Sequence, residues 1–305
     1  MDSQLEAEAF KRIYPEEYFQ RFLSEGTRPD GRPLGRARST TIGFGAVSTA
    51  DGSALVKIGS TTLLAGIKLE VMTPTAEAPD AGKIAATFEM PPLCSPDARP
   101  ERRLEETSVV VQQVMNAIES AGLVNTKELL ISTGKAAWVA YLDIYCLDAD
   151  GSLLDAALLA AVAAFADLTL PPVRVNPEGH VLPVLSGAQG GNLRENGDAS
   201  SEVVTVERRK LTLGAMPWAA TIGLYKGHLI VDPTAEEEAL LESTVTTILD
   251  EAGRLISLFK PGGITAVTTA LIQDCVELTR HRARELKQIL EESSQEDEDE
   301  GDESQ

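Results

Sequence analysis

The amino-acid sequence predicts an α+β fold with two related halves. The first observation is a run of three strands between residues 40 and 71, followed by an amphipathic helix, further strands and an apolar helix. The second is that residues 203–292 follow a similar outline, with strands that precede a long amphipathic helix. Strand clusters that alternate with paired helices are typical of the α+β class. The spacing therefore suggests an internal duplication.

The N-terminal segment, residues 1–25, is predicted to be helical. Its aromatic residues Phe10, Tyr14, Tyr18 and Phe22 recur at every fourth position, although Pro15 lies among them and also allows two short helices. The first half, residues 26–185, then opens with strands over 40–48, 53–58 and 62–71. In the third strand apolar and polar side chains alternate, as in a half-buried strand, and the three form a β-meander. Residues 72–100 are rich in Pro and Ala and are interpreted as a long surface loop.

A strand, a turn and a helix form the centre of the first half. After a predicted helix over 101–121 and a strand over 128–132, apolar residues alternate along a strand over 136–147. Residues 148–152, Asp-Ala-Asp-Gly-Ser, have turn chemistry. The helix predicted over 153–166 is apolar on every side except at Asp155, so we expect it in the interior. A strand, a polar turn and a helix N-terminus can also present backbone N–H groups to an anion.

The second half is predicted to begin after a flexible loop. Residues 186–202 are polar and rich in Gly, which favours a mobile loop. Strands are predicted over 210–213, 219–225 and 229–231, a linker over 236–241, and a hairpin over 243–250 and 254–258. A helix is predicted over 264–291, and residues 293–305 are expected to form a disordered acidic tail.

Composition and charge exclude several classes of protein. The chain is 43% hydrophobic and 24% charged, and no apolar run reaches the roughly 18–20 residues that a membrane span needs. No secretory signal is expected from the N-terminus. The net charge is −20, and residues 291–305 contribute nine acidic and no basic side chains. The remainder is still acidic, which argues against a stand-alone nucleic-acid-binding protein.

Few residues are candidates for chemistry. The three histidines and three cysteines have no metal-ligand spacing, so we expect no metal and no cofactor. Three basic clusters remain, and structural ion pairing is favoured over RNA contact for each: Arg28, Arg32, Arg36 and Arg38; Arg99, Arg102 and Arg103; Arg208, Arg209 and Lys210. Several acidic residues follow Asp232 at the predicted start of a short helix. Negative charges in the first turn of a helix are stabilised by the helix dipole, which is a sufficient structural reason for them.

Four segments of the sequence resemble the ribonuclease PH fold, which is ribosomal protein S5 domain 2-like with two βαβα-type halves. They are Arg28-Pro29-Asp30-Gly31-Arg32, the hairpin over 51–71, residues 148–156 and residues 230–238. Within that family the chain is similar to eukaryotic exosome ring subunits, at residues 17–23, 48–57, 91–95, 260–263, 273–275 and 279–281. The resemblance covers about residues 20–292.

The resemblance implies where catalytic chemistry would lie. Active members bind phosphate through a Gly-Thr/Ser-Arg sequence, and the matching positions here are Ser152, Leu153 and Leu154. Leu154 therefore replaces the phosphate-binding arginine. The position of a catalytic aspartate corresponds to Thr244, although Asp232 is retained. A guanidinium fork is lost at the first position, and a carboxylate that could act as a general acid is lost at the second.

We therefore expect a non-catalytic structural subunit of the exosome ring. The resemblance implies partners among ribonuclease PH-like ring subunits and S1/KH-domain cap subunits, RNA contact through the assembled pore, and a location in the nucleus, including the nucleolus, and the cytoplasm. Arg99, Arg102 and Arg103 are the candidate RNA contacts. The alternatives are an active phosphate-dependent 3′–5′ exoribonuclease and an inactive sister subunit of the same ring.

Overall fold

The structure is a computed structural model that describes residues 2–76, 78–94, 100–176, 181–183, 202–203, 209–263 and 265–303. Its helices are α1 (Asp2–Ile13), α2 (Pro15–Ser24), α3 (Pro100–Ala121), α4 (Leu153–Asp167), α5 (Ala235–Glu238) and α6 (Thr269–Glu303). Its strands are β1 (Thr40–Phe44), β2 (Gly52–Ile58), β3 (Thr61–Met72), β4 (Lys83–Glu89), β5 (Leu130–Ser132), β6 (Ala136–Asp148), β7 (Thr169–Leu170), β8 (Val173–Val175), β9 (Val181–Pro183), β10 (Glu202–Val203), β11 (Arg209–Lys210), β12 (Trp218–Tyr225), β13 (His228–Val231), β14 (Ser243–Leu249) and β15 (Leu255–Phe259). None of the described helices is long and apolar enough to span a membrane.

The first sheet contains β1, β2, β3, β6 and β4 in that order, and β5 pairs with the start of β6. The first four strands are antiparallel to their neighbours, whereas β4 runs parallel to β6. Along β3 the alternate residues Leu63, Ala65 and Ile67 are fully buried, because that face of the sheet packs against α4. The predicted meander of β1, β2 and β3 is therefore confirmed.

Helix α4 lies in the centre of the molecule. Every residue from Leu154 to Phe165 is buried, since the helix packs against β2 and β3 of the first sheet and against β12 of the second. A helix with no polar face is stable only when it is enclosed in this way. The interior position predicted for this helix is confirmed.

The second sheet contains β13, β12, β14 and β15 in that order, all antiparallel. All eight residues of β12 are buried, because both α4 and α6 pack against this strand. Helix α6 also contacts β1 of the first sheet. The two sheets are thus joined through α4 and α6, and this α+β arrangement agrees with the predicted fold class.

The longest strand missing from the predicted first half is β4. Residues 72–100 were interpreted as a surface loop, but β4 forms within them and pairs along its whole length with β6. Its burial pattern does not alternate, and only Phe88 is buried. A strand of this kind is stabilised by its neighbour rather than by its own sequence pattern, so the period-two criterion misses it.

The C-terminal region also departs from the prediction. The tail expected to be disordered over 293–305 continues α6 as far as Glu303, since glutamate is a good helix former and the helix is already nucleated upstream. Helix α6 begins at Thr269, after Pro261 and two glycines, rather than at residue 264. The linker predicted over 236–241 overlaps the short helix α5, which begins at Ala235. Of the loop predicted over 186–202, only Glu202 is among the described residues, and it begins β10.

Candidate functional site

The turn between β6 and α4 has a backbone that only particular residues can adopt. Gly151 has a φ of 76°, and Ser152, the residue that precedes α4, has a φ of 51°. A Cβ on Gly151 would lie 2.4 Å from the carbonyl oxygen of Pro233. Glycine is therefore required both for the left-handed conformation and for the close approach of the second half. The turn is packed directly against the segment that follows β13.

The backbone of this turn exchanges hydrogen bonds with carboxylates of the chain itself. The backbone N–H of Ser152 donates a hydrogen bond to Oε1 of Glu238, at 2.8 Å. In return, the N–H of Ala235 donates to Oδ1 of Asp150, at 3.1 Å. A free backbone N–H at the start of a helix commonly binds a phosphate or a carboxylate. Here the N–H of Ser152 binds the carboxylate of Glu238, which belongs to helix α5.

The side chains that follow the turn extend the hydrophobic core. Leu154 is only 7% exposed and belongs to the main core cluster, and Leu153 packs against the same cluster while half-buried. Leu154 occupies the position at which the resemblance places a phosphate-binding arginine. A buried leucine contributes no hydrogen-bond donor, so the turn offers an anion only its backbone groups.

Arg38 and Asp232 form a buried ion pair beside the turn. Arg38 donates from Nε to Oδ2 of Asp232 at 2.9 Å and from Nη2 to Oδ1 at 2.6 Å, and its backbone N–H donates to Oδ2 at 2.8 Å. The guanidinium also donates to the carbonyl oxygens of Asp150 and Gly151. Burial tends to raise the pKa of Asp232, but the hydrogen bonds and charge of Arg38 outweigh it and hold that pKa below its usual value.

A second buried ion pair lies next to the first. Arg28 is fully buried, and its Nε donates to Oε1 of Glu237 at 2.9 Å while Nη1 donates to the carbonyl of Val231 at 2.7 Å. Glu237 also accepts the N–H of Thr234 in the capping box that starts α5. Arg32 adds a longer contact to Asp232, at 3.4 Å. Structural ion pairing, which the sequence favoured over RNA contact for this cluster, is confirmed for these three arginines.

Asp155 connects α4 to the second sheet. Its carboxylate accepts the backbone N–H of Thr221 at 2.6 Å and the hydroxyl of the same residue at 2.8 Å. That hydroxyl also lies 2.8 Å from the hydroxyl of Thr246. Burial raises the pKa of Asp155 to about 7, and the hydrogen bonds of Thr221 offset only part of that effect. The signal in the sequence was that Asp155 is the one polar residue of the helix predicted over 153–166.

The remaining predicted site residues are not brought to the turn by any described contact. Thr244 is half-buried in β14 and lies opposite Gly223 of β12. Arg102 and Arg103 lie in the first turn of α3, but their side chains and the whole of Arg99 lie outside the described residues. Arg209 donates to the carbonyl of Glu128 at 3.3 Å. Across the described ranges, no cluster of three His, Cys, Asp or Glu side chains could hold a metal ion.

Comparisons with known proteins agree with this arrangement. Residues 36–171 match domain 1 of the 3′ exoribonuclease (RNase PH) family, and residues 215–282 match domain 2. The exosome complex component rrp43 of Schizosaccharomyces pombe is 30% identical over 273 residues, which is 90% of this chain and 94% of that protein. The exosome complex component Rrp42 of Methanopyrus kandleri is 29% identical over 268 residues, or 88% and 92% of the two chains.

A solved structure gives the same result at the level of the fold. A chain of the Archaeoglobus fulgidus exosome with RNA bound to the active site superposes with a TM-score of 0.74 at 27% identity. The match covers 89% of this chain and 96% of that one. The predicted resemblance to exosome ring subunits and the ribonuclease PH fold are thereby confirmed.

We expect Arg38→Met to destabilise the protein by about 3–5 kcal/mol at pH 7, because Asp232 would be left buried without its partner. The loss should be smaller near pH 4, where Asp232 can take up a proton. Urea unfolding at both pH values, followed by circular dichroism, measures the difference. Arg36→Met is the matched control, since Arg36 is exposed in the same segment, and it should change the free energy of unfolding by less than about 0.5 kcal/mol. Equal effects of the two substitutions would contradict the role of the ion pair.

We expect Asp155→Asn to remove a pH dependence of stability. The pKa of Asp155 rises from 3.8 to about 7 on folding, so the folded state holds a proton that the unfolded state releases. Its contribution to stability is present below pH 4 and is lost as the pH rises to 7, by up to about 1.4 kcal/mol per pH unit. Asparagine mimics the protonated acid, because its amide can donate to the Thr221 hydroxyl and accept the Thr221 N–H.

The measurement is the difference in unfolding free energy between Asp155→Asn and the wild type from pH 4 to pH 8. This difference should move in favour of the variant as the pH rises. Asp274→Asn, on the exposed side of α6, is the control for the loss of one negative charge, and it should not reproduce the trend of Asp155→Asn. A constant difference for Asp155→Asn would show that Asp155 titrates normally.

Proposed function

The chain belongs to the 3′ exoribonuclease (RNase PH) family, and from this premise we propose that it is a non-catalytic structural subunit of an exosome core ring. In this role it supports 3′–5′ processing and degradation of RNA, including ribosomal RNA maturation and messenger RNA decay, by other subunits. Support comes from the relatives, which are named as exosome components and match over about nine tenths of this chain.

The single observation that carries the absence of catalysis is the hydrogen bond between Ser152 and Glu238. Orthophosphate is an anion that would need the Ser152 N–H and an arginine, but the N–H already holds a carboxylate and Leu154 replaces the arginine. The missing charge-assisted contact costs about 2–3 kcal/mol. The absence of a carboxylate at Thr244 removes acid catalysis worth about 10²–10⁴-fold. Together these changes leave phosphorolysis without its binding and proton-transfer groups.

The subunit that we propose is the one called ribosomal RNA-processing protein 43 in eukaryotes. An inactive sister subunit of the same ring is the alternative within the family, since the archaeal relative carries a different subunit name at a similar identity. An active phosphate-dependent 3′–5′ exoribonuclease is the alternative from a different class. It is favoured by the preserved strand, turn and helix around Ser152 and by the solved relative with RNA in its active site.

The proposed assembly defines partners and location. The partners are ribonuclease PH-like ring subunits and cap subunits with S1 and KH domains, and RNA reaches the chain through the assembled pore. We infer a location in the nucleus, including the nucleolus, and in the cytoplasm. Arg99, Arg102 and Arg103, at the start of α3, are the proposed RNA contacts of this subunit.

The purified chain should not shorten a single-stranded RNA labelled at its 5′ end in the presence of phosphate and magnesium. The assay compares reactions with and without phosphate, on protein from a host strain that lacks its own phosphorolytic nucleases. Glu238→Ala and Leu154→Arg should remain inactive when tested one at a time, because each leaves the other obstacle and Thr244 in place. Phosphate- and magnesium-dependent shortening by the wild type would refute the structural role.

Replacing Arg99, Arg102 and Arg103 with alanine should weaken RNA binding by the assembled complex by about tenfold or more and make it less sensitive to salt. Each arginine that contacts a phosphate releases a counterion, so the slope of log Kd against log salt should decrease. Fluorescence anisotropy with single-stranded RNA measures both quantities. Arg36→Ala is the control, because its exposed side chain lies in a different segment, and it should leave both unchanged. An unchanged slope for the triple variant would place the RNA elsewhere.

A further inference from the structure

We propose that Cys94 and Cys146 are a redox-sensitive pair, and that a hydroperoxide converts their two thiols into a disulfide bond. The bond fastens the turn that follows β4 to β6, the strand with which β4 pairs. The pair is a property of the free chain and does not depend on the proposed function. It gives two buried cysteines a chemical role that packing alone does not require.

The course of the chain after β4 brings the two cysteines together. Strand β4 runs parallel to β6 and ends with Glu89 opposite Tyr145, so the chain leaves the sheet one position before the level of Cys146. It then forms a turn, in which the backbone N–H of Cys94 donates to the carbonyl of Pro91 at 3.1 Å. Although 52 positions separate them, Cys94 and Cys146 therefore meet at the same end of the sheet.

The contact between the two residues is direct. The thiol of Cys94 donates to the carbonyl oxygen of Cys146, with Sγ and O 2.9 Å apart. Burial, together with the charge and the hydrogen bond of the neighbouring Cys94 thiol, raises the pKa of Cys146 to about 12. Sulfurs that already contact one another in the reduced protein can be joined without unfolding either segment.

The two thiols differ in their access to solvent. Cys146 is fully buried on the inner face of β6, opposite Leu63 of β3. Cys94 is 8% exposed, and it ends a turn in which the preceding residue, Leu93, is 93% exposed. The oxidant therefore reaches Cys94 first, and Cys146 is the thiol that resolves the oxidised sulfur. An accessible thiol beside a resolving one is the usual arrangement of a redox-sensitive pair.

The bond forms in two steps, here with hydrogen peroxide as the oxidant. The thiolate of Cys94 attacks one peroxide oxygen, the O–O bond breaks, hydroxide leaves and Cys94 becomes a sulfenic acid. The sulfur of Cys146 then attacks the sulfenic sulfur, the S–O bond breaks, and hydroxide leaves as water with the thiol proton. In sum, two thiols and one peroxide give a disulfide and two waters. Because little Cys146 is thiolate at neutral pH, the second step is slow and depends on the contact between the sulfurs.

The disulfide secures one end of β4. Only Phe88 of this edge strand is buried, and its backbone pairs with β6 alone among the described strands. The bond closes the end of the pair at which the chain leaves the sheet, so that β4 can no longer separate from β6 at that end. Oxidation therefore suppresses the local opening of an edge strand that its neighbour holds in place.

The experiment treats the reduced full-length chain with hydrogen peroxide, blocks the remaining thiols with N-ethylmaleimide in denaturant, and maps the unreduced peptides by mass spectrometry. The expected product joins Cys94 to Cys146 within one chain and is reversed by dithiothreitol. Backbone amides of β4 should exchange hydrogen at least about fivefold more slowly in the oxidised protein than in the reduced one. Cys275→Ser is the matched control, because Cys275 is also fully buried but lies in a separate cluster, and it should leave both results unchanged.

Cys146→Ser removes the resolving thiol and nearly retains its size. In this variant peroxide should leave Cys94 as a sulfenic acid that dimedone labels, and oxidation should not slow exchange in β4. The wild-type peptide map gives the answer even if this variant does not fold. The proposal is overturned if N-ethylmaleimide still blocks both thiols of the treated wild type, if Cys94 becomes a sulfinic acid while Cys146 stays free, or if Cys94 joins Cys275 or a second chain. A disulfide without slower exchange would overturn the fastening of β4.

Discussion

The ion pair between Arg38 and Asp232 is the interaction on which the rest of the site depends. It joins two residues 194 positions apart, one before the first sheet and one at the end of β13, and it also binds the carbonyl oxygens of Asp150 and Gly151. Removing either partner would leave a buried charge without compensation, which is far more costly than losing an exposed ion pair. The position of the turn before α4 is therefore set by the second half of the chain.

The residues that pack against the turn before α4 determine which of its backbone groups are already hydrogen-bonded. The second half brings the Glu238 carboxylate to the N–H of Ser152, and Leu154 packs into the main core. The turn thus serves as a packing contact between the two halves. The close packing of the two halves also explains why residue 151 is glycine, because the carbonyl oxygen of Pro233 lies where a side chain of residue 151 would be.

The sequence predicted those parts of the fold whose pattern is local. The alternation of apolar and polar residues along β3 and the apolar run of α4 were sufficient to predict these two elements. Burial of one face, or of all faces, selects apolar residues at the buried positions. The edge strand β4 was missed, since its stability comes from pairing with β6. In the site, Leu154 and Thr244 were singled out by the family resemblance, which implies an arginine and an aspartate at their positions. The hydrogen bond from Ser152 to Glu238 could not be predicted, because 86 residues separate them and an exposed glutamate has no distinctive pattern.

Two of the buried acids that join the halves, Asp232 and Asp155, respond to pH in opposite directions. Asp232 has a lowered pKa, so its contribution to stability is present above its unfolded pKa and is lost as the pH falls through the folded value. Asp155 has a pKa raised to about 7, so its contribution is present in acid and is lost as the pH rises through that value. Acid therefore weakens the contact between the halves at Asp232, and base weakens it at Asp155. The junction around α4 is held most firmly between the two titrations, in mildly acidic solution, because only there are Asp232 ionised and Asp155 protonated together.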